Sequence, residues 1–126
     1  MLLQRTFLRH LTWKIPSGQR VAQHIGAPVL GAGDFPELNA IEKHLTDSTP
    51  LFYYVLKEAE LMASGEHLGP VGGRIVGEVF VNNLRNDPNS YLNVDPTWVP
   101  TAGGGSSFRM RNFLTYARVD PASRRQ

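Results

Sequence analysis

Cysteine is absent from the 126 residues. That excludes disulfides and thiolate metal sites, although it leaves the compartment open. No apolar run approaches the roughly 20 residues of a membrane span. Met1 to Thr6 opens no uninterrupted apolar core of signal-peptide length, so neither a span nor a leader is expected. Charge is also scarce. Charged residues are 19% of the chain and the net charge is +2. No face carries a dense basic run interleaved with aromatics, and nucleic acid is therefore not an expected partner, the scattered Arg109, Arg111, Arg118, Arg124 and Arg125 notwithstanding. No serine sits in a G-x-S-x-G elbow. Gly31-Ala32-Gly33 is too short for a dinucleotide fingerprint. His10, His24, His44 and His67 are not spaced as metal ligands, so no metal site is expected from them. There are no internal repeats and no convincing strand pairs.

What is present suits a globular chain of at most one domain. Hydrophobic residues make up 41%, and 12 glycines with 9 prolines indicate substantial loops. The expected class is all-α, several helices with long Gly/Pro-rich loops. Residues 1–14 alternate basic and apolar side chains and fit either a short helix or an irregular strand. Ser17 is placed to cap a helix over about 18–25, with Gly26 ending it. Asp34 followed by Glu37 has a capping-box spacing and predicts a helix over 35–44. Asp47-Ser48-Thr49-Pro50 is a start signal for the next helix, and Gly65 is its stop. Phe52, Val55, Leu56, Ala59 and Ala63 form its expected apolar face, with Lys57, Glu58 and Glu60 off that stripe.

The longest expected helix covers about 69–85. At roughly 100° per residue, Arg74, Glu78, Asn82 and Arg85 fall in one narrow stripe, and nearly everything else is apolar or glycine. A helix apolar almost all round belongs inside a protein. Gly69, Gly73 and Gly77 share a face, which suits close helix–helix packing, or less often a flat ligand. Asn86 to Ser90 breaks the helix, residues 91–107 read as flexible connection, and Ser107 can cap a final helix over about 108–117. Residues 119–126 form a polar tail.

Four segments carry a family resemblance. They are Ile15-Pro16-Ser17-Gly18-Gln19-Arg20-Val21-Ala22, Thr49-Pro50-Leu51-Phe52-Tyr53-Tyr54-Val55-Leu56-Lys57-Glu58-Ala59-Glu60, Leu68-Gly69-Pro70-Val71-Gly72-Gly73-Arg74-Ile75-Val76-Gly77-Glu78-Val79, and Asp87-Pro88-Asn89-Ser90-Tyr91-Leu92 with Trp98-Val99-Pro100. In that order they resemble the C-terminal part of bacterial members of the animal-type haem peroxidase family, the myeloperoxidase and cyclooxygenase superfamily. The resemblance covers about residues 5–118.

The resemblance implies a larger helical haem protein that uses hydrogen peroxide to oxidise a donor. Its distal and proximal histidines lie upstream of the matched region, so this stretch would supply no catalytic residue. It implies haem as the parent's cofactor, and the missing upstream part of the domain as the partner. By the same resemblance Gln19 stands where mammalian members have an Asn that hydrogen-bonds the proximal imidazole, although Gln is one methylene longer. Arg20 lies close to where the family has a basic residue near a haem propionate. The alternative is a non-catalytic helical binding or scaffold module.

Overall fold

The computed structural model describes residues 2–119 and, among them, contains helices and no strand. The protein is all-α. The α-helices are α1 (Leu2–Thr12), α2 (Gly18–Ile25), α3 (Pro36–Asn39), α4 (His44–Asp47), α5 (Leu51–Ala63), α6 (Pro70–Asn86), α7 (Tyr91–Val94) and α8 (Met110–Tyr116). Short 3-10 turns occupy Ala32–Asp34 and Gly105–Ser107. None of these helices is long and apolar enough to cross a membrane. The chain divides into two compact units, Met1–Phe80 and Val81–Gln126.

The first unit holds every buried apolar side chain of the described residues. Ala22, Leu30, Phe35, Leu38, Tyr54 and Val71 form its core. The rings of Phe35 and Tyr54 lie 6.1 Å apart, and Phe7 of α1 meets Phe52 of α5 edge-on at 6.3 Å. α2 forms where the sequence marks it. Ser17 is extended and its Oγ accepts from the Arg20 amide, while Gly26 closes the helix in the left-handed region at φ 68°. Of the two options for residues 1–14, helix is the one adopted.

The expected helix over 35–44 does not form as one element. Asp34 turns its carboxylate back to the Gly31 amide, 2.8 Å away, and closes a 3-10 turn. Only α3 and α4 follow, each a single turn of four residues. An aspartate competes for nearby backbone donors in turns as readily as it caps a helix, and here the local turn wins.

α5 has its expected limits, but not its expected face. Tyr54, Glu58 and Ala59 are its buried residues, whereas Phe52 and Leu56 are exposed. The inward side is rotated by about a quarter of a turn from the aliphatic stripe. The cause is Glu58, fully buried because it caps another helix.

In α6, only Val71 and Gly72 are buried. Val76, Val79 and Phe80 are exposed, and Arg74 pairs along the surface with Glu78 at 2.6 Å. Within this chain the three glycines spaced four apart do not form one packing seam. A Cβ on Gly69 would lie 2.4 Å from Glu58 Cγ, and one on Gly72 would lie 3.2 Å from Val55 Cβ, while Gly77 faces open space. α5 meets only the first turn of α6, so close approach is confined to Gly69 and Gly72.

In the second unit, Ser90 is the only buried residue among those described. The Asp87–Ser90 segment ends α6 as expected. Ser90 Oγ donates to the Leu84 carbonyl, and Asn93 Nδ2 donates to the carbonyls of Arg85 and Asp87 at 3.0 and 2.7 Å. These satisfy acceptors that a helix end leaves open. Residues 91–107, expected as connection, include α7, whose Tyr91 ring lies 5.5 Å from Trp98. Ser107 does not cap α8. It ends the 3-10 turn, and Asn112 Oδ1 accepts from the Arg109 amide at 3.0 Å at the start of the helix. Of the expected polar tail, all but Val119 lies outside the described residues.

Candidate functional site

The turn entering α2 holds a buried polar side chain, Gln19. Gly18 comes directly beneath Tyr54. A Cβ there would sit 1.9 Å from Tyr54 Cγ, so no other residue fits without displacing the ring. The Gly18 amide donates to the Thr49 carbonyl at 2.9 Å. That contact brings Gln19 against the segment 46–49. Gln19 Nε2 donates to the Thr46 carbonyl and to Thr49 Oγ1, both at 2.8 Å, and its Oε1 accepts from the Thr49 amide at 3.0 Å. Thr49 Oγ1 in turn donates to the Leu45 carbonyl at 2.8 Å.

Both amide protons of Gln19 are therefore used, and one acceptor lone pair remains on Oε1. Among the described residues no histidine hydrogen-bonds to it. Arg20, next in the same turn, is exposed. The two expected cofactor-binding residues thus differ in kind. Gln19 is a buried clamp between α2 and the entry of α5, and Arg20 is a surface cation. What this turn offers a ligand is one open acceptor on Gln19 Oε1 and the exposed cation of Arg20. Among the described residues no group of three or more His, Cys, Asp or Glu could hold a metal ion.

Glu58 is the buried carboxylate that sequence reasoning placed off the core. Both of its oxygens accept from the Val71 amide at 3.0 Å, and Oε2 also accepts from the Gly72 amide at 3.2 Å. These are first-turn donors of α6, without partners in their own helix, at the positive end of its dipole. Pro70 ahead of them has no N–H to satisfy. The available signal was the run Leu68-Gly69-Pro70 followed by Val71-Gly72-Gly73, a helix start with no Ser, Thr, Asp or Asn to cap it. Such a start needs an acceptor from elsewhere.

Tyr54 lies on the same side of α5. Its hydroxyl accepts from the Leu30 amide at 2.9 Å. Burial pushes its phenol above the ordinary tyrosine value. The nearby charges of Glu58 and Asp34 push the same way, against the Leu30 hydrogen bond. On an exposed edge, the Tyr53 hydroxyl donates to Glu37 Oε1 at 2.5 Å, and Lys57 Nζ lies 3.4 Å from Glu37 and 3.2 Å from Glu60. That hydroxyl holds Glu37 below the usual carboxylate value and Glu37 in turn raises Tyr53, while Glu60 leads in raising Lys57.

The remaining feature is a groove of about 590 Å³ in the first unit. Phe52 and Val55 of α5 line its floor, with Gly72 and Val76 of α6 along one wall. Arg9 and His10 of α1 stand on the other, followed by Trp13, which is 75% exposed. Its size is that of a ligand pocket, and its lining is apolar apart from Thr6, Arg9 and His10. Sequence reasoning missed it because its walls come from three helices far apart in the chain. Among the described residues the structure thus offers a clamp, a carboxylate-capped helix and an apolar groove. No family model, curated protein or solved structure matches the chain.

Proposed function

We propose that this chain is the C-terminal portion of an animal-type haem peroxidase, supplying packing helices and support on the proximal side while the distal and proximal histidines stand upstream. The observation that carries this reading is the apolar surface left bare in an ordered helical framework. Phe52 and Leu56 on α5, and Val76, Val79 and Phe80 on α6, are all more than a third exposed. Surface of that kind, on helices with well-defined ends, calls for more protein to cover it. The four-segment resemblance names the protein that would do so.

When bound in the intact protein, the haem would supply the peroxide-dependent oxidation of a donor. This chain's own part is narrower. Gln19 Oε1 would accept an N–H from the proximal imidazole, which fixes the tautomer and strengthens the ring as a donor to iron. Arg20, exposed beside it, would offer a cation to a propionate.

The test is reconstitution. Residues 1–126 alone, mixed with haemin, should give no Soret band of a histidine-ligated haem and no peroxide turnover. Co-production with the polypeptide encoded immediately upstream should give both. Peroxidase activity from the 126 residues alone would overturn the assignment of the catalytic groups to upstream sequence. A non-catalytic binding module is the second reading, favoured by the groove. It expects a monomer that melts cooperatively and gains nothing from upstream sequence.

A further inference from the structure

Charge is distributed unevenly along the chain. From Met1 to Gly33 the sequence holds Arg5, Arg9, Lys14 and Arg20, and Asp34 is its first carboxylate. The ion pairs among the described residues join Lys57 to Glu37 and Glu60, and Arg74 to Glu78. The four early cations pair with none of these carboxylates. Arg5 and Arg9 are four apart on α1 and so share a face, and Arg9 lines the groove. A basic edge thus runs beside an apolar trough.

The trough is longer than a small ligand needs. Gly72 and Val76 line it, and Phe80 continues the same four-residue row one turn further along α6. Phe80 is 66% exposed and Val79 beside it 54%. A compact molecule seated between Phe52 and Val76 would leave that extension bare. Both walls are helices, whose side chains form ridges at three- and four-residue spacing, and such ridges receive the side chains of another helix. Apolar anchors at i, i+3, i+4 and i+7 laid into a groove are a recurrent recognition mode.

We propose that the groove between α1 and α6 docks an amphipathic helix with acidic residues along one flank. Its apolar face covers Phe52, Val55, Val76 and Phe80, and its carboxylates meet Arg5 and Arg9. The proposal needs no haem; it names a helix as what covers the apolar face on which the peroxidase reading also rests, and the peptide titration tests it independently of the haem reconstitution. Complementary charge sets the orientation and the encounter rate, and the apolar contacts supply most of the affinity.

The test uses the full chain with Trp98→Phe, which leaves Trp13 at the groove as the single tryptophan. It is titrated with a synthetic peptide of about 18 residues, a length of roughly 27 Å as a helix, with leucines on one face and glutamates on the flanks. A lysine-flanked twin and 1-naphthalenesulfonate, a small apolar acid, serve as comparisons. The glutamate peptide is expected to shift Trp13 emission to the blue and to bind at least about tenfold tighter than its lysine twin at low salt, with the difference shrinking in 0.5 M salt as roughly 3–8 Å screening takes hold. The double variant Arg5→Glu, Arg9→Glu should reverse the preference, and Val76→Asp should abolish binding of both peptides. All three positions are exposed, and far-UV circular dichroism checks that the variants remain helical. Equal binding of the two peptides overturns the proposal. So does binding indifferent to Val76→Asp, and so does saturation by the naphthalenesulfonate with no binding of peptide.

Discussion

Gln19 shows how much one side chain can hold. Its carboxamide makes three hydrogen bonds to residues 27 and 30 positions away, and it is only 7% exposed. Replacing it by leucine keeps the volume and strands the Thr46 carbonyl and the Thr49 amide, while the Thr49 hydroxyl keeps its bond to the Leu45 carbonyl. An unsatisfied buried group costs about 1–3 kcal/mol, so Gln19→Leu should lower the unfolding free energy by about 3 kcal/mol in urea titrations. A loss below about 1 kcal/mol would leave the clamp without structural weight. The tyrosines of α5 make a second test at this scale. Tyr53, Tyr54 and Lys57 all have raised folded values, so their contribution is complete below about pH 10 and is lost as pH climbs through those values. Glu37, held low, contributes above the carboxylate range and loses that contribution as pH falls through its folded value. The melting temperature should therefore drop above pH 10, and Tyr53→Phe should flatten part of that drop. An alkaline limb identical in the variant would remove Tyr53 as a source.

At the scale of the element, α5 and α6 explain each other. α6 begins at Pro70 with no capping side chain of its own, and Glu58 reaches across from α5 to take the Val71 and Gly72 amides. That contact turns the Tyr54–Glu58 side of α5 inward and leaves Leu56 half exposed. Two substitutions on the same helix should then differ sharply. Leu56→Gln should change stability by less than about 0.5 kcal/mol, as surface changes do. Tyr54→Ala should cost about 4 kcal/mol, the range for emptying a buried aromatic site. If the two costs were similar in chemical denaturation, the inward face of α5 would be the aliphatic stripe after all. α2 was legible because both of its ends are local. Ser17 and Gly26 act within a few residues of themselves. The helix expected over 35–44 failed for the opposite reason, since Asp34 had a nearer donor in Gly31.

For the whole molecule, the distribution of core is the main fact. Each buried apolar side chain of the described residues belongs to the first unit, and in 81–119 only Ser90 is buried. Stability should therefore reside in the first unit. A chain ending at Asn86, which keeps α6 whole, should retain the near-ultraviolet signal of the buried Tyr54 environment and melt within about 4–8 °C of the full chain, the span that 1 kcal/mol covers in a domain of this size. Loss of the transition in the shortened chain would show that 87–126 contributes to the core. Under the proposed reading, protein outside this sequence covers the part of the chain without a core, which is the condition the reconstitution experiment addresses.

The sequence by itself determined the helical class, the bounds of α2, α5 and α6, and the break at Asp87–Ser90, because caps, glycines and prolines act over a few residues. Gln19 was singled out only by the family resemblance, as a haem contact, and the clamp it forms is visible only in the tertiary structure. The tertiary structure alone decided which side of α5 faces inward, why Glu58 is buried, and that Gly69 and Gly72, not an evenly spaced strip, meet a neighbour. It also decided that Arg9 and His10 stand over an apolar groove. These outcomes depend on where one helix end meets another across the fold, and a contact of that kind leaves no periodic signature along the chain.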